Sequence, residues 1–293
     1  DDDLDAIEDG GCLEGANPDL VGKRARERGA QQIGTLGSGN HFLELDRVTE
    51  IYDPELAERF GLTLGGVTLL VHSGSRGLGH AVCEELLPVM LKSAKKHGIE
   101  LTDKQLACAP IGSPEADRYL AVMAAAANFA YVNRALIAYR ALGAIAKGLG
   151  RNRTSLGAQL LYDVCHNIAK FEEHTVDGQT KRVCVHRKGA TRAFGAGRAE
   201  LSSRYRETGQ PVIIPGDMGR YSYVMCGLSG ATDETFGSAC HGAGRLLARG
   251  SARKVATGSA VVKALKDKGI SLRAASVSAV VEEMPEAYKD VAE

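Results

Sequence analysis

Gly66-Val67-Thr68-Leu69-Leu70-Val71-His72-Ser73-Gly74-Ser75-Arg76-Gly77-Leu78-Gly79 is the stretch on which the fold turns. A continuous apolar run ends on a histidine, which predicts a buried strand. The glycine-rich loop 73–79 follows, and a helix is predicted over 80–97. Backbone N–H groups of such a loop can face an anion at the helix N-terminus. Working outward, 33–45 reads as a turn and then a strand. Residues 115–149 read as a helix that stops near Gly148 and Gly150, and 156–168 as another helix. Strands are predicted at 182–186, 210–215 and 221–227, with a strand-like segment at 277–281. Residues 241–248 are predicted to open a helix. Strands and helices alternate without a regular βαβ rhythm, and no repeat or low-complexity linker breaks the chain. The expected fold is α+β, a mixed α/β single compact domain over 1–293 with mixed sheets flanked by helices.

The 293 residues are ample for a buried core, and 44% hydrophobic with 25% charged residues is ordinary for a globular protein. Thirty-six basic and 36 acidic side chains cancel, so bulk charge gives no argument for nucleic acid. Only local clusters do, such as Lys23-Arg24-Ala25-Arg26 and Arg187-Lys188. The seven cysteines, at 12, 83, 108, 165, 184, 226 and 240, form no CxxC pair, which removes support for zinc-ribbon or thioredoxin chemistry. Their odd count and wide spacing suit a reducing, cytoplasmic setting. The opening residues do not read as a signal peptide, so none is expected. The Ala-rich stretch 121–149 is interrupted by Asn128, Asn133, Arg134 and Arg140, so it reads as a soluble helix and no membrane partner is expected. The chain begins at Asp1 in an acidic run without Met and ends at Glu293 soon after 277–281; neither is expected to be a natural terminus.

Five histidines stand among small, amide or cationic residues. They are His41 in Gly39-Asn40-His41-Phe42-Leu43-Glu44, His72, His166 in Cys165-His166-Asn167, His186 before Arg187-Lys188-Gly189, and His241 in Cys240-His241-Gly242-Ala243-Gly244-Arg245. Imidazole serves as a neutral-pH base or nucleophile and as a transition-metal ligand. A lone His41 would more often be a hydrogen-bonded turn residue, but Asn40 and Glu44 beside it shift the balance toward a site. In an extended segment Asn40, Phe42 and Glu44 alternate away from His41. His72 ends a strand that feeds a glycine loop, a favoured place for functional residues. His166 reads equally as a satisfied core residue. The segment 187–192 is either a solvated basic loop or a phosphate-binding patch. His80, His97 and His174 are expected to be structural or superficial, with His174 beside Glu172 and Glu173 meeting solvent. No Walker A sequence and no HExxH occurs. Such a constellation suits divalent metal and phosphate. Two Mn²⁺ ions can clamp phosphoryl groups, and a histidine off the metal can hold phosphorus as a phosphoramidate.

At six motifs the chain resembles the RtcB family of RNA-splicing ligases: GTLGSGNHFLE, VHSGSRGLGH, YDVCHNIAKFEEH, VHRKGATRAF, QPVIIPGDMG and FGSACHGAGR. The resemblance runs from about Gly10 to about Ala287 and implies an RtcB-like catalytic domain. It also implies a GTP- and Mn²⁺-dependent ligase that joins 2′,3′-cyclic phosphate or 3′-phosphate RNA ends to 5′-hydroxyl ends, in tRNA splicing and RNA repair. By motif match His241 is the nucleophile that becomes guanylylated. His41, His72 and His166 are manganese ligands, Asn40 contacts the GTP phosphates and Glu44 the guanine. Ser222 and the loop His241, Gly242, Ala243, Gly244 and Arg245 line the nucleotide pocket. Arg187, Lys188 and Arg192 lie near RNA. The implied partners are RNA (tRNA halves or broken ends), GTP and an archease-type activating protein.

The resemblance also has departures. The family's Asp-x-x-Cys-Gly metal motif has no counterpart here, and Cys12 belongs to a later segment. The family's closing lysine on guanine falls beyond residue 293. Asp217, in Pro215-Gly216-Asp217-Met218-Gly219, stands where other members have Ser. The expectation is therefore a domain incomplete at both edges, with residues 1–293 alone a poor ligase. The alternative is a truncated, non-catalytic member that binds RNA or nucleotide.

Overall fold

The structure is a computed structural model and describes residues 3–292. The expectations about the chain ends rest on Asp1 and Glu293, which lie outside the described residues. The chain divides into two compact units at Asp163/Val164, and each is described by itself.

The first unit runs through α1 (Lys23–Gln32), β1 (Phe42–Arg47), α2 (Pro54–Arg59), β2 (Val67–His72), α3 (Arg76–Lys96) and α4 (Pro114–Gly148). The core lies among α1, α3 and α4, where Val21, Ala25, Leu78, Ala81, Val82, Leu86, Val122 and Ala126 meet. Small residues at these helix positions let the backbones approach closely. The start of α4 is fixed locally: Ser113 accepts a hydrogen bond from Ala116 N, Pro114 opens the first turn, and Glu115 and Asp117 complement its dipole.

By length and composition α4 is apolar enough to cross a membrane. Its four polar interruptions are all engaged within the unit. Asn128 Oδ1 accepts from Leu13 N at 2.8 Å, and Asn133 Oδ1 from Gly34 N at 2.7 Å. Arg134 Nε donates to Asp163 Oδ1 at 2.6 Å, and Arg140 Nη1 to Gly34 O at 2.7 Å.

β1 and β2 form an antiparallel pair. The apolar run of β2 is half-exposed along most of its length, and Val67 is largely in solvent. A two-stranded ladder covers less of a strand than the wide sheet that a continuous apolar run suggests. The helix after it opens at Arg76, earlier than predicted.

The second unit contains β3 (Asn167–Val176), β4 (Gln179–Lys188), β5 (Ala190–Arg192), β6 (Pro211–Ile214), β7 (Tyr223–Cys226), α5 (Ala231–Thr235), β8 (Ser238–Cys240), α6 (Arg249–Ala252), α7 (Gly258–Asp267) and α8 (Val277–Val280). The ladders are β3–β4, β5–β8 and β6–β7, all antiparallel pairs. In place of mixed sheets, the named strands of both units form small antiparallel ones. The β3–β4 hairpin turns at Asp177 and Gly178, both with positive φ, as a two-residue hairpin turn requires.

Three predicted elements are corrected. Residues 157–166 are not helical. Gly157, with φ +62, closes a short 3₁₀ turn, and Asp163 exchanges backbone hydrogen bonds with Ala6 and Glu8. Residues 241–248 form no helix because their amides pair elsewhere: Ala243 N with Pro215 O and Leu246 N with Ala287 O. Residues 277–281 form a helical turn, not a strand. Val280, Val281 and Met284 there pack on Val261 and Leu265 of α7, at helical spacing.

Candidate active site

Register builds the first histidine pair. Phe42 pairs with His72 across the β1–β2 ladder, so His41, one residue before β1, comes beside the end of β2. The His41 and His72 rings are 6.0 Å apart at 64°, and Phe42 meets His72 edge-on at 5.3 Å. Gly37 makes room for them. A Cβ there would lie 2.2 Å from His41 Nδ1 and 2.6 Å from an Arg76 Nη, and its φ of +114° also calls for glycine.

The loops that carry the pair are tied by Asn133, which is fully buried. Its amide takes Gly34 N and donates to Gly74 O at 3.0 Å and to Ser73 Oγ at 3.2 Å. Ser73 Oγ in turn donates to Leu36 O at 2.7 Å. Arg76, whose pKa is lowered by burial, reaches back to Thr35 O at 3.1 Å. Of the amides expected to face an anion, Gly77 N is already bound to Gln32 Oε1 at 2.7 Å.

Asn40 is exposed just before β1, and Glu44 shares the less exposed face of β1 with Phe42 and Asp46. Burial raises the Asp46 carboxyl, and its hydrogen bond with Glu44 opposes that shift.

The second pair stands where two ladders meet. β3–β4 ends with Asn167 opposite Lys188, and β5–β8 places Ala190 opposite Cys240. Gly189 joins the two. Its N–H donates to His166 O at 2.9 Å and to Asn167 Oδ1 at 3.2 Å, and its carbonyl accepts from His241 Nδ1 at 2.7 Å. A carbonyl only accepts, so Nδ1 carries the proton and the basic nitrogen of His241 is Nε2. The His166 and His241 rings stack at 4.4 Å and 26°. The φ of Gly189 is +66°, and a Cβ there would touch the His241 ring at 3.2 Å.

Ser222 is exposed and accepts from Gly216 N at 3.3 Å. Gly242 and Ala243 pack against the Pro215 carbonyl, and Gly244 has φ +76°. Asp217 Oδ1 caps Gly219 N at 2.9 Å and Oδ2 pairs with Arg220 at 3.2 Å, while burial raises its carboxyl.

Three side chains depart from expectation. β4 continues two residues past His186, so strand alternation turns Arg187 inward and leaves His186 and Lys188 outside. Arg187 is 2% exposed and forks onto Glu172, with Nη1–Oε1 at 2.5 Å and Nη2–Oε2 at 2.9 Å. It also donates to Ser238 Oγ and to Phe236 O, each at 2.9 Å. Arg192 is buried too, bound to Gln210 Oε1 at 3.0 Å. Neither arginine belongs to a solvated RNA-facing patch; of the three expected there, Lys188 alone is exposed.

Arg245 is committed to Glu283 Oε2 at 2.8 Å and Tyr288 Oη at 2.9 Å, beside a Tyr288 hydroxyl that burial and Glu283 push up to about 12. Arg245 thus sits in a cluster with Glu283 and Tyr288. His174 is buried, with Nε2 2.9 Å from Glu172 Oε2, and does not meet solvent. Burial alone would raise Glu172; hydrogen bonds from Arg187 and His174 hold it below its ordinary value.

Among the described residues, no three histidines, cysteines or carboxylates gather to hold a metal ion. Of the histidines expected to bind metal, His41 and His72 pair within the first unit, and His166 stacks on His241 within the second. His41 and His72 offer imidazole nitrogens as donors. Those fit one side of a divalent-metal site without completing it.

Each unit thus sets one pair of imidazoles at strand ends beside a glycine of positive φ, the local mark of a histidine-based site. Residues 1–293 match the family described as tRNA-splicing ligase RtcB, and the chain belongs to that family. It is 52% identical over 287 residues to the tRNA-splicing ligase RtcB of Archaeoglobus fulgidus, covering 98% of this chain and 60% of that protein. It is 48% identical to the protein of that name from Thermococcus kodakarensis, with 99% and 60% covered. For Pyrococcus abyssi the identity is 49%, with 99% and 32% covered. The chain thus spans at most about 60% of these relatives.

Proposed function

We propose that this chain carries the nucleotidyl-transfer centre of an RNA ligase. In this reading the ligase joins 2′,3′-cyclic phosphate or 3′-phosphate ends to 5′-hydroxyl ends, as in tRNA splicing and RNA repair. The observation that carries the reading is the His241 tautomer. With Nδ1 donating to Gly189 O, the lone pair resides on Nε2 of a ring that stacks on His166.

Nε2 attacks the α-phosphorus of GTP. The bond to the β-phosphate breaks, pyrophosphate leaves, and a His241–GMP phosphoramidate forms. The Gly189 carbonyl stabilises the positive charge that develops on the ring, as a fixed dipole does at no reorganisation cost. A 2′,3′-cyclic end is first opened by water to the 3′-phosphate; a 3′-phosphate oxygen then takes GMP from Nε2, and the 5′-hydroxyl oxygen bonds to the 3′-phosphorus as GMP leaves. His41, His72 and His166 are the proposed manganese ligands. A bound Mn²⁺ would neutralise phosphate charge and polarise the phosphoryl oxygens. Asn40 is assigned to the GTP phosphates, and Glu44 to guanine by way of its carboxyl. Ser222, Gly242, Ala243 and Gly244 supply the remaining nucleotide contacts. RNA, GTP and an archease-type activator are the partners in this reading. Seven free cysteines support a cytoplasmic setting.

Incubation with α-³²P-GTP and Mn²⁺ tests it. The expected product is an acid-labile, base-stable label on the protein that His241→Ala removes while Mn²⁺ binding persists. A label of unchanged yield on His241→Ala would assign the nucleophile elsewhere. Labelling that never forms, alongside tight RNA or nucleotide binding, would identify a binding module.

A further inference from the structure

A cleft of about 330 Å³ opens beside β4 and belongs wholly to the second unit. It is lined by the segment 183–187 with Ala190, and by Thr235, Phe236 and Ser238. None of the residues assigned above to GTP or manganese lines it. We propose that this cleft is a base-binding subsite for an unpaired nucleotide near the 3′ end of the RNA strand that accepts GMP. The inference rests on the ligase reading above.

Position is the first argument. Ala190 at one end of the cleft pairs with Cys240, the residue before His241. A strand whose 3′-phosphate reaches His241 would therefore run close to the cleft.

The second argument is the aromatic wall. Phe236 keeps 43% of its surface in solvent. It does so in a backbone conformation that is costly for a bulky residue, with φ +52° followed by Gly237 at φ +58°. Two contacts hold it there: Arg187 Nη2 on its carbonyl at 2.9 Å, and the buried His174 against its ring edge at 5.2 Å. An exposed aromatic ring that is fixed in advance suits the stacking of a single-stranded base.

The lining from β4 supplies polarity without fixed charge. His186 Nε2 and Cys184 Sγ are 3.6 Å apart, and burial raises the thiol, which keeps it neutral. The imidazole and thiol offer a donor and an acceptor to a base edge. Lys188, on the same face two residues on, suits the neighbouring phosphate.

Size and blockage decide between occupants. The volume falls at the low end of the roughly 300–1,000 Å³ found for small-ligand clefts, which admits one base and excludes a duplex. A peptide adding as a strand to the outer edge of β4 would have to displace Arg187. Its guanidinium already crosses from β4 to Phe236 O and Ser238 Oγ.

The test uses a single-stranded RNA ending in a 3′-phosphate, with 5-iodouridine placed in turn at each of the last four positions. Irradiation with the unaltered protein should crosslink Phe236 from one or two of those positions, as mapped by mass spectrometry. In parallel, fluorescence anisotropy should show RNA bound about ten-fold more weakly by Phe236→Leu, and restored by Phe236→Trp. His186→Ala should weaken binding less. Crosslinks confined to other residues, equal RNA affinity in Phe236→Leu, or no RNA binding by the unaltered protein would each overturn the subsite. The α-³²P-GTP label separates the two claims. A protein that labels at His241 and binds RNA without using Phe236 retains the ligase reading and loses this one.

Discussion

The two histidine pairs are held by hubs of opposite character. His41 and His72 ride on loops tied by Asn133, a neutral amide that gives and takes hydrogen bonds with four neighbours. His241 rides on a frame tied by Arg187 and Glu172, a buried ion pair with His174 attached. Both hubs are desolvated, so both depend on full satisfaction of their polar atoms. They differ in what breaks them. The amide has no proton to lose or gain, whereas the ion pair is vulnerable to acid and to loss of either partner.

Arg187→Ala should have the largest effect. It strands Glu172 in the interior, and loss of about 3–5 kcal/mol of unfolding free energy is expected. Hydrogen exchange should quicken along β3, β4 and 236–238. A loss under about 1 kcal/mol would mean the frame does not depend on the ion pair.

Asn133→Ala should cost about 2 kcal/mol, from the unpaired Gly34 N–H and Gly74 carbonyl it leaves behind. Faster exchange should appear at 34–37 and 73–77, with β3 and β4 unchanged. If both variants loosen the same amides, the hubs are not separate.

Acid sharpens the contrast. Glu172 is lowered from its ordinary 4.5 in the folded protein, so its stabilisation is present above that value and is lost as pH falls through the folded pKa. Denaturation midpoints measured below pH 4.5 should therefore lose part of their slope in Glu172→Gln. The same slope should survive in Asn133→Ala. An unaltered slope in Glu172→Gln would remove the acid-sensitive role.

The glycines give the smallest effects. Gly37→Ala and Gly189→Ala each put an alanine at positive φ, at a cost of about 1–2 kcal/mol. Gly37→Ala should be the worse, since its Cβ meets His41 at 2.2 Å against 3.2 Å between Gly189 and His241. The reverse order in thermal melts would show that His41 moves aside more easily than His241.

Much of this could be read from the chain. The α4 prediction differs from the structure by one residue at each end, and the expected strands near 67–72, 210–215 and 221–227 are present. Histidines beside glycine loops did mark the paired imidazoles. Errors arose where distant partners override local pattern. The stretch 156–168 reads as a helix in isolation, but Asp163 pairs with the segment around Ile7. Arg187 looked like the start of a basic loop because β4 was ended at His186. Asp177-Gly178 was the available signal, since its hairpin turn fixes the register and parity of both strands. Once β3 is placed, Glu172, His174 and Arg187 fall on one buried face. Nothing local marks Asn133, whose partners lie 59 to 99 positions away.

Gly189 has a consequence for how this protein would be dissected. Its peptide groups yoke His166 to His241, yet it has no side chain to remove. A scan that truncates side chains would find His241 and His166 and pass over the element that keeps them in step. Replacement by alanine would report crowding at the ring, not the loss of the carbonyl. The hydrogen bond from His241 Nδ1 ends on backbone oxygen. Only a change to the backbone itself, such as an ester in place of the Gly189–Ala190 amide, which weakens that carbonyl as an acceptor, would expose the contribution. Sequence drift at neighbouring positions can alter everything around this junction except the part that sets the tautomer.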